Sequence, residues 1–315
     1  MTEQPLVSVL MTTYNREQYL PEAIESVLAS SYKNFELIIV DDNSNDGTLN
    51  IAKAYETKDK RIKVYVNENH LGDYANRNQA ASYAGGKYLK FVDSDDYIYP
   101  EGLGVLVKIM EQFPDAGWGI CSLKPTTYIN RPYPFELTPK QAYEFSYLGP
   151  GLFSTPPLCV IIKREIFQKA DGFINDRMVG DLELWHRLAQ KHNVVLIQDG
   201  IVWNREHRHN TRESRDYRKY LNTYERIKIN YLTHENCHLQ SKQLKKIFKK
   251  RKIGLLNQAI YCLWKMNFRF SYGFLQLLVI NFIYPKTKKS GEFKSVQPNL
   301  QKFKPRSYTP KINSK

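Results

Sequence analysis

Cysteine is scarce in this 315-residue chain: Cys121, Cys159, Cys237 and Cys262 lie far apart and form no CxxC pair. That spacing argues against a disulfide framework or a zinc knuckle and suits a reducing compartment. Long apolar runs are also missing. The longest, FLQLLVINFIY over 274–284, is well short of the roughly 20 residues that span a bilayer. The opening MTEQPLVSVLMTTYN lacks the basic stretch and long apolar core of a signal peptide. A cytoplasmic protein is expected, soluble or peripheral on the inner face of the plasma membrane. No GxGxxG follows the first apolar run and no GxxxxGK[ST] occurs anywhere, so dinucleotide and P-loop phosphate cradles have no support.

What the chain does have is charge, unevenly placed. Residues 201–315 carry 26 Lys and Arg against 6 Asp and Glu, whereas residues 1–200 carry 20 against 26. The net charge of +14 therefore belongs to the C-terminal third, and its partner is a separate question from the chemistry. An apolar fraction of 42% excludes a wholly disordered chain. The length suits one large domain with an appendage, or two domains.

The first hundred residues alternate strand and helix patterns. VSVLMTT, FELIIVDD, IKVYVN and KYLKFVD read as strands; the second, apolar without alternation, fits a parallel strand buried on both faces. Between them, REQYLPEAIESVLAS, DGTLNIAKAYE (capped by Asp46) and GDYANRNQAASYAGG read as helices. This order implies an α/β fold with a parallel sheet and right-handed crossovers. After Pro100 the pattern loosens into aromatic and proline-rich loops, YINRPYPFELTP and LGPGLFSTPP. GDLELWHRLAQKH then reads as a helix with Leu182, Trp185, Leu188 and Ala189 on one face, and HNVVLIQDGIVW as one further strand.

Ligands of such sheets sit beyond the carboxyl ends of the strands. Three polar clusters fall there: Thr12-Thr13-Tyr14-Asn15, Asp41-Asp42-Asn43-Ser44 and Asp93-Ser94-Asp95-Asp96. Any one of them alone is an ordinary turn, but three converging on one edge suggest a site. The last puts three carboxylates in four positions. Like charges this close raise one another's pKa and cost stability unless a cation neutralises them.

Taken together, VSVLMTTYNREQYLPEAIESVLASSYKNFELIIVDDNSNDGT, FVDSDD, GDLELW and REHRHN resemble the family 2 glycosyltransferases. These have the GT-A fold, a Rossmann-like and mostly parallel sheet flanked by helices, and transfer a sugar from a nucleotide-sugar donor with inversion. The resemblance covers roughly residues 6–215. It implies a divalent cation, Mn²⁺ or Mg²⁺, held by Asp95 of the DxD motif, with Asp93 reaching the ribose or the metal through water. A cation there would stabilise charge developing on a leaving diphosphate, and these ions need only one or two carboxylates besides substrate phosphates. The same resemblance places Asp42 on the uracil edge of a UDP-sugar, Thr12 and Tyr14 around the base, and Arg77 on the nucleotide. A tyrosine ring can stack on a base while its hydroxyl stays wet. Asp181 matches the general base, although the glutamate that usually precedes it is here Gly180. In Arg205-Glu206-His207-Arg208-His209-Asn210, His207 matches a residue that completes the metal or diphosphate site. Plain alternatives are a carboxylate-rich turn at 93–96, a solvated helix face for Arg77, and a helix-dipole role for Asp181.

The acceptor, a saccharide or lipid-linked molecule in cell-surface polysaccharide or glycolipid synthesis, is less legible. Trp118, Tyr128, Tyr133, Phe153 and Trp185 could stack on sugars or simply fill the core. Three regions are expected: a catalytic domain over 1–212, a basic helical extension over 213–285, and a disordered tail over 286–315. In the extension, KQLKKIFKKRK holds seven positive residues in eleven. It suits an anionic membrane surface or a solvated helical subdomain, whereas nucleic acid is disfavoured because no nucleic-acid module is visible. Two other functions fit the scaffold. A nucleotidyltransferase would carry a Gly-rich basic loop after the first strand, where this chain has MTTYNREQYL. A silent binding protein would have no need of a base at Asp181.

Overall fold

The computed structural model describes residues 4–123, 131–176, 179–205, 217–264 and 272–278. Strands β1 (Val7–Thr13) and β2 (Phe35–Asp41) are buried nearly throughout, as their largely apolar sequences require, and the buried Ser8 hydroxyl donates to Glu36 at 2.7 Å. In β2, Leu37 and Ile39 face one apolar layer, with α1 (Leu20–Leu28), α2 (Thr48–Lys58) and α4 (Gly102–Gln112). Ile38 and Val40 face the other, with α3 (Asp73–Ser82), α5 (Pro139–Leu148), α6 (Arg164–Lys169) and α7 (Gly180–Ala189). Alternate side chains of one strand thus serve both cores.

Completing the sheet are β3 (Ile62–Val66), β4 (Tyr88–Phe91), β6 (Ala116–Cys121), β7 (Phe135–Leu137), β8 (Val160–Lys163) and β9 (Asn193–Ile197), in the order β3-β2-β1-β4-β8-β6-β9-β7. Pairs β1–β2, β2–β3, β1–β4 and β6–β9 are parallel, while β8 and β7 run against their neighbours. The sheet is mostly parallel, as expected, and reverses strand order where β1 lies between β2 and β4. That crevice is where an α/β sheet takes its ligand. A small antiparallel ribbon pairs β5 (Tyr97–Ile98) with β10 (Val202–Trp203).

The region after Pro100 is more regular than its sequence suggests. It holds α4, β6 and β8, FEL within the expected loop is β7, and α5 begins at once behind it on a capping box between Thr138 and Gln141. HNVVLIQDGIVW supplies two strands, β9 and β10, rather than one. Asp46 lies one position before the first-turn boundary at Gly47, yet its carboxylate still accepts the Thr48 amide at 3.0 Å.

Helices α8 (Tyr217–Thr233) and α9 (Ser241–Trp264) form the basic extension. Ile229 and Leu232 of α8 and Ile247 and Phe248 of α9 lie in the same apolar cluster as Trp185 and Leu188. The change of composition near 212 is thus not a change of core. Phe274 and Leu277, at the start of the longest apolar run, pack onto Ala259 of α9. The expected tail over 286–315 lies outside the described residues.

Candidate active site

Two asparagines shape the loops at the carboxyl ends of β1 and β2. Asn15 (φ 51°) and Asn43 (φ 64°) take left-handed conformations, which Asn tolerates better than most residues. The Asn15 amide donates to Ser44 Oγ at 2.9 Å and Asn45 returns a bond to Asn15 Oδ1 at 2.8 Å. Asp41 holds this turn, accepting from Ser44 N and Oγ at 2.8 and 2.6 Å. Asp42 is 2% exposed. Its carboxylate accepts Asn67 Nδ2, Leu71 N and Gly72 N at 2.8, 2.8 and 2.9 Å, and His70 Nδ1 lies 2.9 Å away. It therefore fastens the loop that leads into α3. Tyr14 packs its ring 4.2 Å from that of His70, and Thr12, partly exposed, pairs in register with Val40.

Each carboxylate of the acidic turn has its own cationic or amide partner. Arg77, buried rather than solvated, donates to Asp93 at 2.6 Å and also pairs with Asp73. Arg16 reaches Asp95 at 3.2 Å. Asp96, 3% exposed, accepts Asn204 Nδ2 at 3.1 Å and the Arg205 amide at 2.8 Å, tying the end of β10 to the turn. Burial pushes the Asp96 carboxyl up to about 7, with the charge of Asp93 adding to the rise. Burial likewise raises Asp93, against the pull of Arg77. Below the turn, the fully buried Lys90 donates to the Phe91 carbonyl at 3.0 Å and to that of Leu158.

Asp181 opens α7 and accepts the Leu182 amide at 2.7 Å. Burial pushes its carboxyl up to about 6, against the opposing pull of the Leu182 amide, the Tyr74 hydroxyl and the Arg77 charge. A pKa near the working pH is what a general base needs. The missing preceding glutamate has a steric reason. A Cβ on Gly180 would stand 2.7 Å from the Tyr74 ring and 2.8 Å from the Ile174 carbonyl oxygen, so Tyr74 occupies the space a side chain would need. Glu183, the next carboxylate on α7, is held by Arg187 at 2.5 Å and by the Tyr231 hydroxyl at 2.6 Å.

Among the described residues no group of three or more His, Cys, Asp or Glu is arranged to hold a metal by itself. The donor set nevertheless fits a hard cation shared with a diphosphate, because several carboxylates crowd one turn and such ions take only one or two of them. His207 and His209 lie outside the described residues, as does Tyr128. Of the aromatic residues considered for sugar stacking, Trp118 and Trp185 are wholly buried and stack on each other at 5.5 Å, and Phe153 is buried beside His186. Tyr133 stacks on Phe135. Exposed aromatic surface near the acidic turn comes instead from Tyr99 and Trp203.

The family model described as glycosyl transferase family 2 matches residues 8–171. The chain belongs to this family. Similar curated relatives include an uncharacterized glycosyltransferase of Methanocaldococcus jannaschii, 46% identical over 115 residues that make up 36% of this chain and 40% of the relative. Another is UDP-Glc:alpha-D-GlcNAc-diphosphoundecaprenol beta-1,3-glucosyltransferase WfgD of Escherichia coli, 40% identical over 33% of this chain and 41% of its own. The matches thus span about two fifths of these relatives. Among solved structures, S. aureus TarS 1–349 in complex with UDP-GlcNAc superposes with a TM-score of 0.59 at 22% identity, over 76% of this chain and 70% of TarS 1–349. Mannosyltransferase PcManGT from Pyrobaculum calidifontis, in complex with GDP-Man and Mn²⁺, gives 0.59 at 16% identity over 90% and 88%. These likenesses establish the GT-A fold.

In this family 2 chain, several site residues escaped the sequence. Arg16 and Tyr74 have no spacing that announces them, and His70 meets Asp42 only once the chain has folded. Arg205 had a signal, the R-x-H-x-x-N pattern, but its contacts with Asp95, Asp96 and Glu22 were not foreseeable.

Proposed function

We propose that this family 2 chain is an inverting, metal-dependent glycosyltransferase that moves a sugar from a nucleoside diphosphate, UDP foremost, to a hydroxyl acceptor. The observation that carries the reading is the convergence on Arg77. One buried guanidinium pairs with Asp93 of the acidic turn and also bears on Asp181, whose carboxyl is poised near 6. Arg77 thus grips the donor end by contact, through Asp93 and Asp73, while its charge reaches the Asp181 carboxyl. In this reading Asp42, Thr12 and Tyr14 face the base, Arg77 and Asp93 the nucleotide, and Asp95, with His207, the metal. Asp95 and His207 would hold the cation, which when bound would supply Lewis-acid stabilisation to the departing diphosphate. Asp181 takes the proton of the acceptor hydroxyl at its carboxylate, on the face away from the leaving group.

Support for a nucleotide-sugar donor comes from the UDP-GlcNAc complex of TarS, and for a lipid-linked saccharide acceptor from the substrate in the name of WfgD. The proposed division of labour is a catalytic domain over 1–212 and a basic extension over 213–285. The deciding experiment is a donor screen measuring hydrolysis of UDP, GDP, dTDP and CDP sugars with Mn²⁺ or Mg²⁺. Turnover of one nucleotide class, dependent on metal, is expected; no turnover of any donor with either ion would overturn the reading.

A further inference from the structure

Helix α9 has an inner face and an outer face with different histories. Inward, Ile247, Phe248 and Ala259 are buried, and Arg251 pairs with Glu225 of α8. Outward, positions 242, 246, 249, 253, 256, 260 and 264 follow steps of three and four, so they fall on one stripe. All are exposed. Along this stripe the chemistry changes once: Lys242, Lys246 and Lys249 come first, then Ile253, Leu256, Ile260 and Trp264, which are 50%, 46%, 55% and 74% exposed. At 1.5 Å per residue the basic part is about 10 Å long and the apolar part about 16 Å. A contiguous exposed apolar strip of that size on a soluble fold marks an interaction surface.

We propose that the outer stripe of α9 is an anionic-lipid docking surface that enters the bilayer obliquely. The lysines stay among the headgroups while the Ile253–Trp264 end dips into the acyl boundary. A membrane is layered in the same order as the stripe, with negative charge outside and hydrocarbon within. A nucleic acid would match the lysines and leave the apolar half without a partner. The inference is independent of the reaction assigned above, since it uses no residue of the candidate active site.

The full chain is tested by flotation with vesicles of 70% phosphatidylcholine and 30% phosphatidylglycerol, against pure phosphatidylcholine. Binding to the anionic vesicles is expected, weakened but not abolished by raised salt. Replacing Lys242, Lys246 and Lys249 by Gln should weaken binding roughly 100-fold at low salt, about fivefold per charge. The variant Ile253→Asn, Leu256→Asn, Ile260→Asn should lose the salt-resistant part. Because all six positions are exposed, circular dichroism of both variants should match the parent. Absence of binding to anionic vesicles overturns the proposal, as does binding that the apolar substitutions leave unchanged. A parent that dimerises in sedimentation without lipid, and an apolar variant that does not, would assign the stripe to a second copy of the chain instead.

Discussion

Asp181→Asn separates what this residue does for turnover from what it costs the fold. The Asp181 carboxyl is raised from its ordinary 3.8 to about 6, chiefly by burial. Between those values the folded protein holds the proton more tightly than the unfolded chain. That stabilisation is complete below about 3.8 and lost as pH rises through 6, so above 6 a charged carboxylate remains in a poorly solvated place. At about 1.4 kcal/mol per pH unit, the cost near neutrality is roughly 2–3 kcal/mol. Asparagine removes the charge, and its amide oxygen can still accept the Leu182 N–H. Thermal unfolding at pH 7.5 should therefore shift upward by roughly 3–5 °C, and the gain should vanish near pH 4. Donor hydrolysis or transfer should meanwhile fall about 10²-fold or more, with UDP affinity nearly intact. Equal melting temperatures of variant and parent at pH 7.5 would refute the electrostatic argument. Normal turnover would refute the base, and Glu183, held by Arg187 and Tyr231, would be a poor replacement.

Other perturbations probe other parts of the molecule. Asp95→Ala should remove the part of UDP binding that depends on Mn²⁺ in calorimetry; equal metal dependence in variant and parent would end the metal assignment. Arg77→Met leaves Asp73 and Asp93 facing each other without their cation and should destabilise by about 3–5 kcal/mol in urea unfolding, whereas a loss under about 1 kcal/mol would return Arg77 to the surface. Phe248→Ala should cost about 3–5 kcal/mol, since the side chain belongs to the main core. No change in denaturation midpoint would make α9 a detachable appendage.

The first four strands and three helices were legible because each carries a clear apolar pattern, and strands buried on both faces leave apolar stretches without alternation such as LIIV over 37–40. Beyond Pro100 the signal fails for identifiable reasons. β6 reads AGWGIC, and its glycines are there because a Cβ at 117 would meet His192 at 2.9 Å and one at 119 would meet Met110 at 3.0 Å. Close packing thus removed the β-branched residues that advertise a strand. β7 is three residues long, too short for periodicity to register. The start of α5 was in fact written in Thr138-Pro139-Lys140-Gln141, a capping-box pattern with proline at the first helical position, hidden among the surrounding aromatics and prolines. At the site, the acidic turn and Asp181 stood out by residue type. Their partners did not, because Arg16 and Tyr74 act through tertiary placement alone and the pattern that contains Arg205 does not disclose its contacts.

The separation along the chain of those partners sets when the site can exist. Arg16 meets Asp95 across 79 residues, Asn204 meets Asp96 across 108, and Arg205 meets Glu22 across 183. Contacts this remote make loop closure costly and folding slow. A chain emerging N-terminus first, at about 5–20 residues per second, would carry the DxD turn for several seconds before Asn204 and Arg205 arrive to fasten it. Until then Asp96 lacks its amide partners and the turn is held from one side only. Competence to bind a donor should accordingly appear late and at once, so ribosome-bound chains ending near residue 200 would bind no UDP while chains extending well past 205 would.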